Sequence, residues 1–214
     1  MQVQYKFKEN EIKTLLKENL VILYDTREQQ NQHILDFFTK SKIKYKRKKV
    51  DEGDYTAIIT AREDMGIYRD LYFNIAVERK NSVDELAGNL SAKQEDYRDN
   101  PRLIRELARA REKGTMIYLI VEDKDGLDNI ENGKYRSNIS AKSLQGRIKS
   151  MEINYLKGLK FLSKAEAGRE IANILWYAVM EALKEKTEDI KAEQIKENGL
   201  DKDEGFSNSA GHII

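Results

Sequence analysis

Residues 74–86 read NIAVERKNSVDEL. Ile75, Ala76 and Val77 form a short apolar run of the kind that becomes a buried strand. The run ends abruptly in Glu78, Arg79 and Lys80. Ser82 followed three residues later by Glu85 is a capping-box pattern, so a helix begins almost directly after Lys80. Side chains two apart in a strand share a face. Glu78 and Lys80 therefore project together, with Arg79 opposite. A carboxylate beside an amine at a strand end can hold a divalent metal and stabilise negative charge developing on a phosphate.

The neighbouring segments extend this pattern. LVILYD (20–25) reads as a core strand ending in an acid, and 31–42 carries apolar residues at helical spacing. Residues 43–50 are extended in character, DEGD (51–54) has turn chemistry, and YTAIIT (55–60) reads as a strand. Residues 61–70 read as a hairpin loop leading to a strand over 71–77. If 55–60 and 71–77 pair antiparallel, Asp54 and Glu78 lie at the same end. Asp25 ends another core strand, so three acids and a lysine are expected to converge at one sheet edge.

Farther along, Asn100 as N-cap with Pro101 at the first helical position predicts a helix ended by Gly114. TMIYLIVE (115–122) reads as a buried strand and 126–138 as a loop. A helix is expected over 140–155 and a short strand over 158–163. A second capping box at 163–166 opens a helix to about residue 185. Strands alternating with helices imply an α/β fold, a mixed sheet flanked by helices. Residues 1–18 read as an N-terminal extension, 19–186 as the folded domain and 187–214 as a frayed, mobile acidic tail.

Composition narrows the chemistry. Cysteine is absent, which excludes disulfides, thiol catalysis and cysteine-ligated zinc. With only His33 and His212, a metal would have to be held by carboxylates, which points to Mg²⁺ or Mn²⁺. The net charge of +1 hides an asymmetry. Residues 187–214 hold three Lys against seven Asp or Glu, leaving the body mildly basic. No apolar stretch is long enough to cross a bilayer, and the N-terminus lacks a secretory h-region. An intracellular, cytoplasmic protein is expected.

Taken in order, DTRE (25–28), Gly53-Asp54-Tyr55 and VERKNSVDEL (77–86) resemble the motifs of the XPF-type structure-specific DNA endonucleases. Their signature is G-D, a variable gap, then E-R-K-x-x-x-D, here Gly53-Asp54 and Glu78-Arg79-Lys80-x-x-x-Asp84. The resemblance covers roughly residues 19–185 and implies a restriction-endonuclease-like PD-(D/E)XK nuclease domain. It implies Asp54 and Glu78 as metal ligands, with the Arg79 backbone carbonyl a third donor and Asp25 an acid near the metal. Lys80 would contact the attacking water or the scissile phosphate. Arg27, Glu28, Arg79 and Asp84 would support the site. Many members carry a tandem helix-hairpin-helix module that binds DNA and drives dimerisation. The 28 residues after 186 are too few and too polar for it, and a compact stand-alone nuclease of this kind would suit a bacteriophage or mobile element.

The implied function is metal-dependent cleavage of branched, flapped or nicked DNA, with DNA and a homodimer as the partners. A catalytically silent DNA-binding relative is the alternative, though such a copy would be expected to lose Asp54, Glu78 or Lys80. An unrelated α/β interaction protein, with Glu78-Arg79-Lys80 as surface decoration, is the third reading. The basic run at Lys46, Arg47, Lys48 and Lys49 reads either as a phosphate-contacting edge or as an edge strand whose lysines block pairing. The arginine-rich stretch 93–113 reads as a solvated helix face, and His33 as a packing or surface residue. Trp176 and Tyr177 read as core. EDKDG (122–126) lacks a calcium loop's ligand series.

Overall fold

The computed structural model describes residues 6–91 and 101–203, with side chains through residue 185. Seven strands are β1 (Leu20–Tyr24), β2 (Tyr45–Arg47), β3 (Tyr55–Ile59), β4 (Leu71–Tyr72), β5 (Ile75–Lys80), β6 (Met116–Val121) and β7 (Leu156–Phe161). They form one sheet in the order β2-β1-β3-β5-β6-β7, with β4 on β3. The pairs β1–β2, β5–β6 and β6–β7 are parallel, and β3 is antiparallel to β1, β4 and β5. Because β3 runs against both of its long neighbours, its start lies beside the ends of β1 and β5. This is the mixed α/β sheet anticipated from the sequence, and the 55–60/71–77 hairpin is present.

Helices cover both faces of the sheet. On one face lie α1 (Glu9–Glu18), α2 (Gln32–Lys40) and α7 (Lys164–Asp203). Ile12, Leu15, Ile34, Phe38, Ile171 and Leu175 pack there against Ile22, Tyr55, Ile75, Val77 and Ile120. On the other lie α3 (Val83–Leu90), α4 (Arg102–Glu112), α5 (Gly126–Glu131) and α6 (Ala141–Tyr155). Leu86, Leu103, Leu107, Leu144 and Ile148 pack there against Ala76, Ile117, Leu119 and Val121. The strand period of two is thus visible in β5: Ile75 and Val77 face α2 and α7, while Ala76 faces α3 and α4.

Several boundaries differ from the sequence reading. The expected N-terminal extension contains α1, whose Ile12, Leu15 and Leu16 are buried in the main core. Residues 126–138 contain the short helix α5 rather than only loop. Strand β7 begins at Leu156, directly off α6, and β5 carries its ladder through Glu78, Arg79 and Lys80. Helix α7 continues to Asp203, well past residue 185. Its buried residues Ala167, Ile171, Leu175, Val179 and Leu183 recur every four positions. Trp176 and Tyr177 fall between those positions, off the core face, and are exposed rather than core. The Asn100 cap, residues 93–100 of the arginine-rich stretch and the tail beyond 203 lie outside the described residues.

Each capping box forms one of its two reciprocal bonds: Ser82 Oγ accepts the Glu85 N–H at 3.2 Å, and Ser163 N–H donates to the Glu166 carboxylate at 3.0 Å. The Glu85 carboxylate reaches back one residue farther than usual, to the Asn81 N–H at 2.9 Å. This staples the end of β5 to the start of α3. Among the described residues, no helix is long and apolar enough to cross a membrane.

Candidate active site

Asp54 reaches β5 through a glycine. Gly53 adopts φ +75°, a conformation that L side chains rarely occupy. A Cβ there would lie 2.9 Å from the Ala76 Cβ and 3.2 Å from the Val77 carbonyl oxygen. Only glycine lets the turn press this close. The Asp54 N–H then donates to Val77 O at 2.9 Å, and its carboxylate accepts the Arg79 backbone N–H at 2.8 Å.

Glu78 and Lys80 share the face of β5 toward α3 and α4, with Lys80 Nζ 2.5 Å from Glu78 Oε1 and 3.8 Å from Glu85. With Asp54 they line a cleft of about 290 Å³, walled by Arg27 and Glu28 and by Glu85, Arg102, Glu106 and Arg109 of α3 and α4. Its lining residues include more carboxylates than cations.

The titration of the cleft reflects that surplus. Burial, then repulsion from Glu78, pushes the Asp54 carboxyl well above the ordinary aspartate value. Burial also raises Glu78, against the opposing pull of Lys80. Burial alone would lower Lys80, but the adjoining Glu78 carboxylate outweighs it, so the ammonium is held more firmly than usual.

Asp25 lies at the same sheet edge, its N–H donating to Asp54 O at 2.8 Å, but it does not line the cleft. It is fully buried, and both carboxylate oxygens are taken. Oδ1 accepts Arg27 N–H at 2.8 Å and Arg27 Nε–H at 2.7 Å, and Oδ2 accepts Val50 N–H at 2.8 Å. Burial would raise its carboxyl, but these bonds outweigh it and hold the group below the ordinary range. These bonds tie the turn after β1 to the chain leaving β2, so of the three acids at this edge Asp54 and Glu78 line the cleft. Among the described residues, no cluster of three or more His, Asp or Glu is arranged to hold a metal. Two carboxylates suit Mg²⁺ nonetheless, which takes one or two protein carboxylates and completes its shell with waters and substrate phosphates.

The remaining positions sort by the face they occupy. Arg79 turns to the α2 side, where its buried guanidinium donates to Glu28 and Glu122 at 2.8 Å each and to Gln30 O at 3.0 Å. Glu122 in turn meets His33 Nε2 at 2.6 Å, so His33 is a partner in a buried ion network rather than a packing residue. Asp84 points away from the cleft and holds Arg136 through its backbone N–H at 2.8 Å and Nε at 2.7 Å. The basic run lies on the edge strand β2 and just beyond it. Lys46 and Lys49 are exposed, Arg47 donates to Thr26 O, and Lys48 is engaged with Tyr72.

Sequence reasoning missed Glu52, Glu85, Arg102, Glu106 and Arg109 at the cleft and Glu122 behind it. Only Glu85 carried a local signal, its capping-box position. Glu52 is buried and paired with Lys113 at 2.6 Å, a contact across 61 residues.

Comparison with known proteins agrees with this geometry. The family model described as the ERCC4 domain matches residues 24–174. Among solved structures, XPF from Aeropyrum pernix is similar in fold, with a TM-score of 0.50 and 17% identity. That alignment covers 72% of this chain and 64% of the archaeal one, so the chain spans less than two thirds of that protein's length. No curated protein matches. With the G-D…E-R-K motif seated where β3 and β5 meet, and the family model spanning most of the chain, the protein belongs to the ERCC4 domain family.

Proposed function

We propose that the chain is a divalent-metal-dependent DNA endonuclease that hydrolyses phosphodiester bonds in branched, flapped or nicked DNA. The observation that carries this reading is the meeting of Asp54, Glu78 and Lys80 in one net-negative cleft. Asp54 and Glu78, with the Arg79 carbonyl, would hold Mg²⁺ or Mn²⁺. When bound, such an ion supplies a nucleophilic water at neutral pH and neutralises phosphate charge. The Lys80 ammonium, kept charged by Glu78, donates to the phosphate oxygens as negative charge builds on them. The Arg79 N–H fixes one Asp54 oxygen, and the other would be the one to bind the ion. Arg27, Arg102 and Arg109 at the rim supply positive charge for the flanking phosphates.

The test is a cleavage assay on labelled flap, fork and plain duplex DNA with Mg²⁺, Mn²⁺ or EDTA. Cutting should require metal and should disappear in Asp54→Ala and Lys80→Ala. Binding without cutting under every metal would replace this reading with the silent DNA-binding one.

A further inference from the structure

The cleft lies on the α3/α4 face of β5, and a buried network of side chains lies behind it, on the α2 face. Four segments meet there. His33 comes from α2, Glu28 from the turn after β1, Arg79 from β5 and Glu122 from the residue after β6. Glu122 is the joint of the network. One oxygen faces His33 Nε2 at 2.6 Å, and the other accepts from Arg79 at 2.8 Å. Its side chain has no solvent exposure, whereas that of His33 is 29% exposed.

The network has a mechanical reason to matter. Only Tyr55↔Val77 registers β3 with β5, so past Val77 the sheet ladder holds β5 on the β6 side alone. On the open side, the strand end is held by the bond from Arg79 N–H to Asp54. The direction of that N–H depends on how Arg79 sits, and its guanidinium is anchored by Glu28, Gln30 and Glu122. A residue that fixes Arg79 from behind therefore fixes Asp54 in front. His33 holds the rotamer in which Glu122 presents its second oxygen to Arg79.

We propose that Glu122 and His33 are positioning residues for the nuclease centre, holding Arg79 so that its backbone N–H clamps Asp54. The assignment rests on the nuclease reading for its catalytic consequence, while the clamp itself is a property of the fold. Outer-shell partners of metal ligands typically matter by 10- to 100-fold. Glu122→Gln keeps the shape but turns an acceptor for Arg79 into a neutral amide. It should lower kcat on the order of tenfold at unchanged KM for DNA. His33→Ala should act in the same direction, and His33→Gln, whose amide places a donor near the position of Nε2, should restore activity.

The deciding experiment is amide hydrogen exchange at Arg79, read by NMR on the full chain against the core amide of Leu119, with cleavage kinetics alongside. Expected in Glu122→Gln and His33→Ala is faster exchange at Arg79 on the order of tenfold, with Leu119 unchanged and recovery in His33→Gln. Unchanged exchange at Arg79 in both variants overturns the proposal whether or not DNA is cut. So does faster exchange accompanied by normal kcat in a cleaving enzyme. If the wild type cuts no DNA, the nuclease reading fails, and the exchange data alone decide the clamp. Should Glu122→Gln not fold, the His33 pair at its half-buried position carries the same test.

Discussion

Replacing Asp54 by asparagine should abolish cleavage and yet make the metal-free protein more stable. Asp54 and Glu78 are crowded carboxylates, and the folded protein raises the Asp54 carboxyl above its unfolded value through burial and through Glu78. A raised carboxyl binds its proton more tightly in the folded state. Its contribution to stability is therefore favourable at low pH and turns into a penalty as pH rises through the folded value. An asparagine side chain at this position would keep an acceptor for the Arg79 N–H while removing the charge. Relief of one of two crowded charges is worth about 1 kcal/mol, or about 2–4 °C in Tm for a domain of this size. The assay is thermal unfolding in EDTA across pH 5 to 8. The advantage of Asp54→Asn should be largest at the alkaline end and shrink on acidification. Adding Mg²⁺ at tenfold its Kd should stabilise the wild type by about 1.4 kcal/mol and leave Asp54→Asn nearly unmoved. A Tm for Asp54→Asn below that of the wild type in EDTA at the alkaline end would refute the account of strain in the cleft.

Gly53→Ala should destabilise the protein by about 1–3 kcal/mol and remove cleavage. The new Cβ meets Ala76 at 2.9 Å in a positive-φ backbone, and denaturant melts with parallel kinetics check both effects. Asp25→Asn should cost about 1–3 kcal/mol at pH 7, since it weakens a fully buried acceptor of three hydrogen bonds. Because the folded Asp25 carboxyl is lowered, the stability it contributes is lost as pH falls through its folded value, below the ordinary 3.8. The gap between variant and wild type should therefore close in acid unfolding, and metal-dependent cleavage should survive at permissive temperature. Replacing both Lys46 and Lys49 by alanine should weaken DNA binding evenly across substrates and reduce the salt slope of log Kd by about one per lysine. An unchanged slope would leave the basic edge as a guard against strand pairing.

What could be read from the sequence was what is local or periodic. The run 75–77, the capping boxes at Ser82 and Ser163, and the glycine before Asp54 announced their conformations within a few residues. The G-D and E-R-K halves of the site could be joined because hairpin pairing follows from adjacency in sequence. Long-range pairing was not legible. His33 and Glu122 lie 89 residues apart, and Arg79 and Glu122 lie 43 apart. No periodicity connects them. Asp25 was read as a ligand because strand-end acids point toward the site, but hydrogen bonds from Arg27 and Val50 claim it first. Core packing is the default reading for Trp176 and Tyr177 in a long helix, whereas the four-residue spacing of the buried α7 positions excludes them. Helix α1 went unassigned because its charged residues obscured the Ile12, Leu15 and Leu16 stripe.

The reversed direction of β3 has a consequence for engineering. Asp54 sits before β3 and Glu78 near the end of β5, so the chain between them travels away from the cleft, turns at the far end of the sheet and returns. The turn, with its 3₁₀ segment Glu63–Met65, closes on itself through the Arg62–Ile67 bridge. Tyr68 beyond it is 76% exposed. Doubling the length of such a loop costs only about 0.6 kcal/mol in closure entropy. A fluorescent reporter or an affinity handle spliced in beside Tyr68 would thus be carried at the end of the sheet opposite its reactive groups, and DNA binding could be followed on a protein whose cleft is untouched.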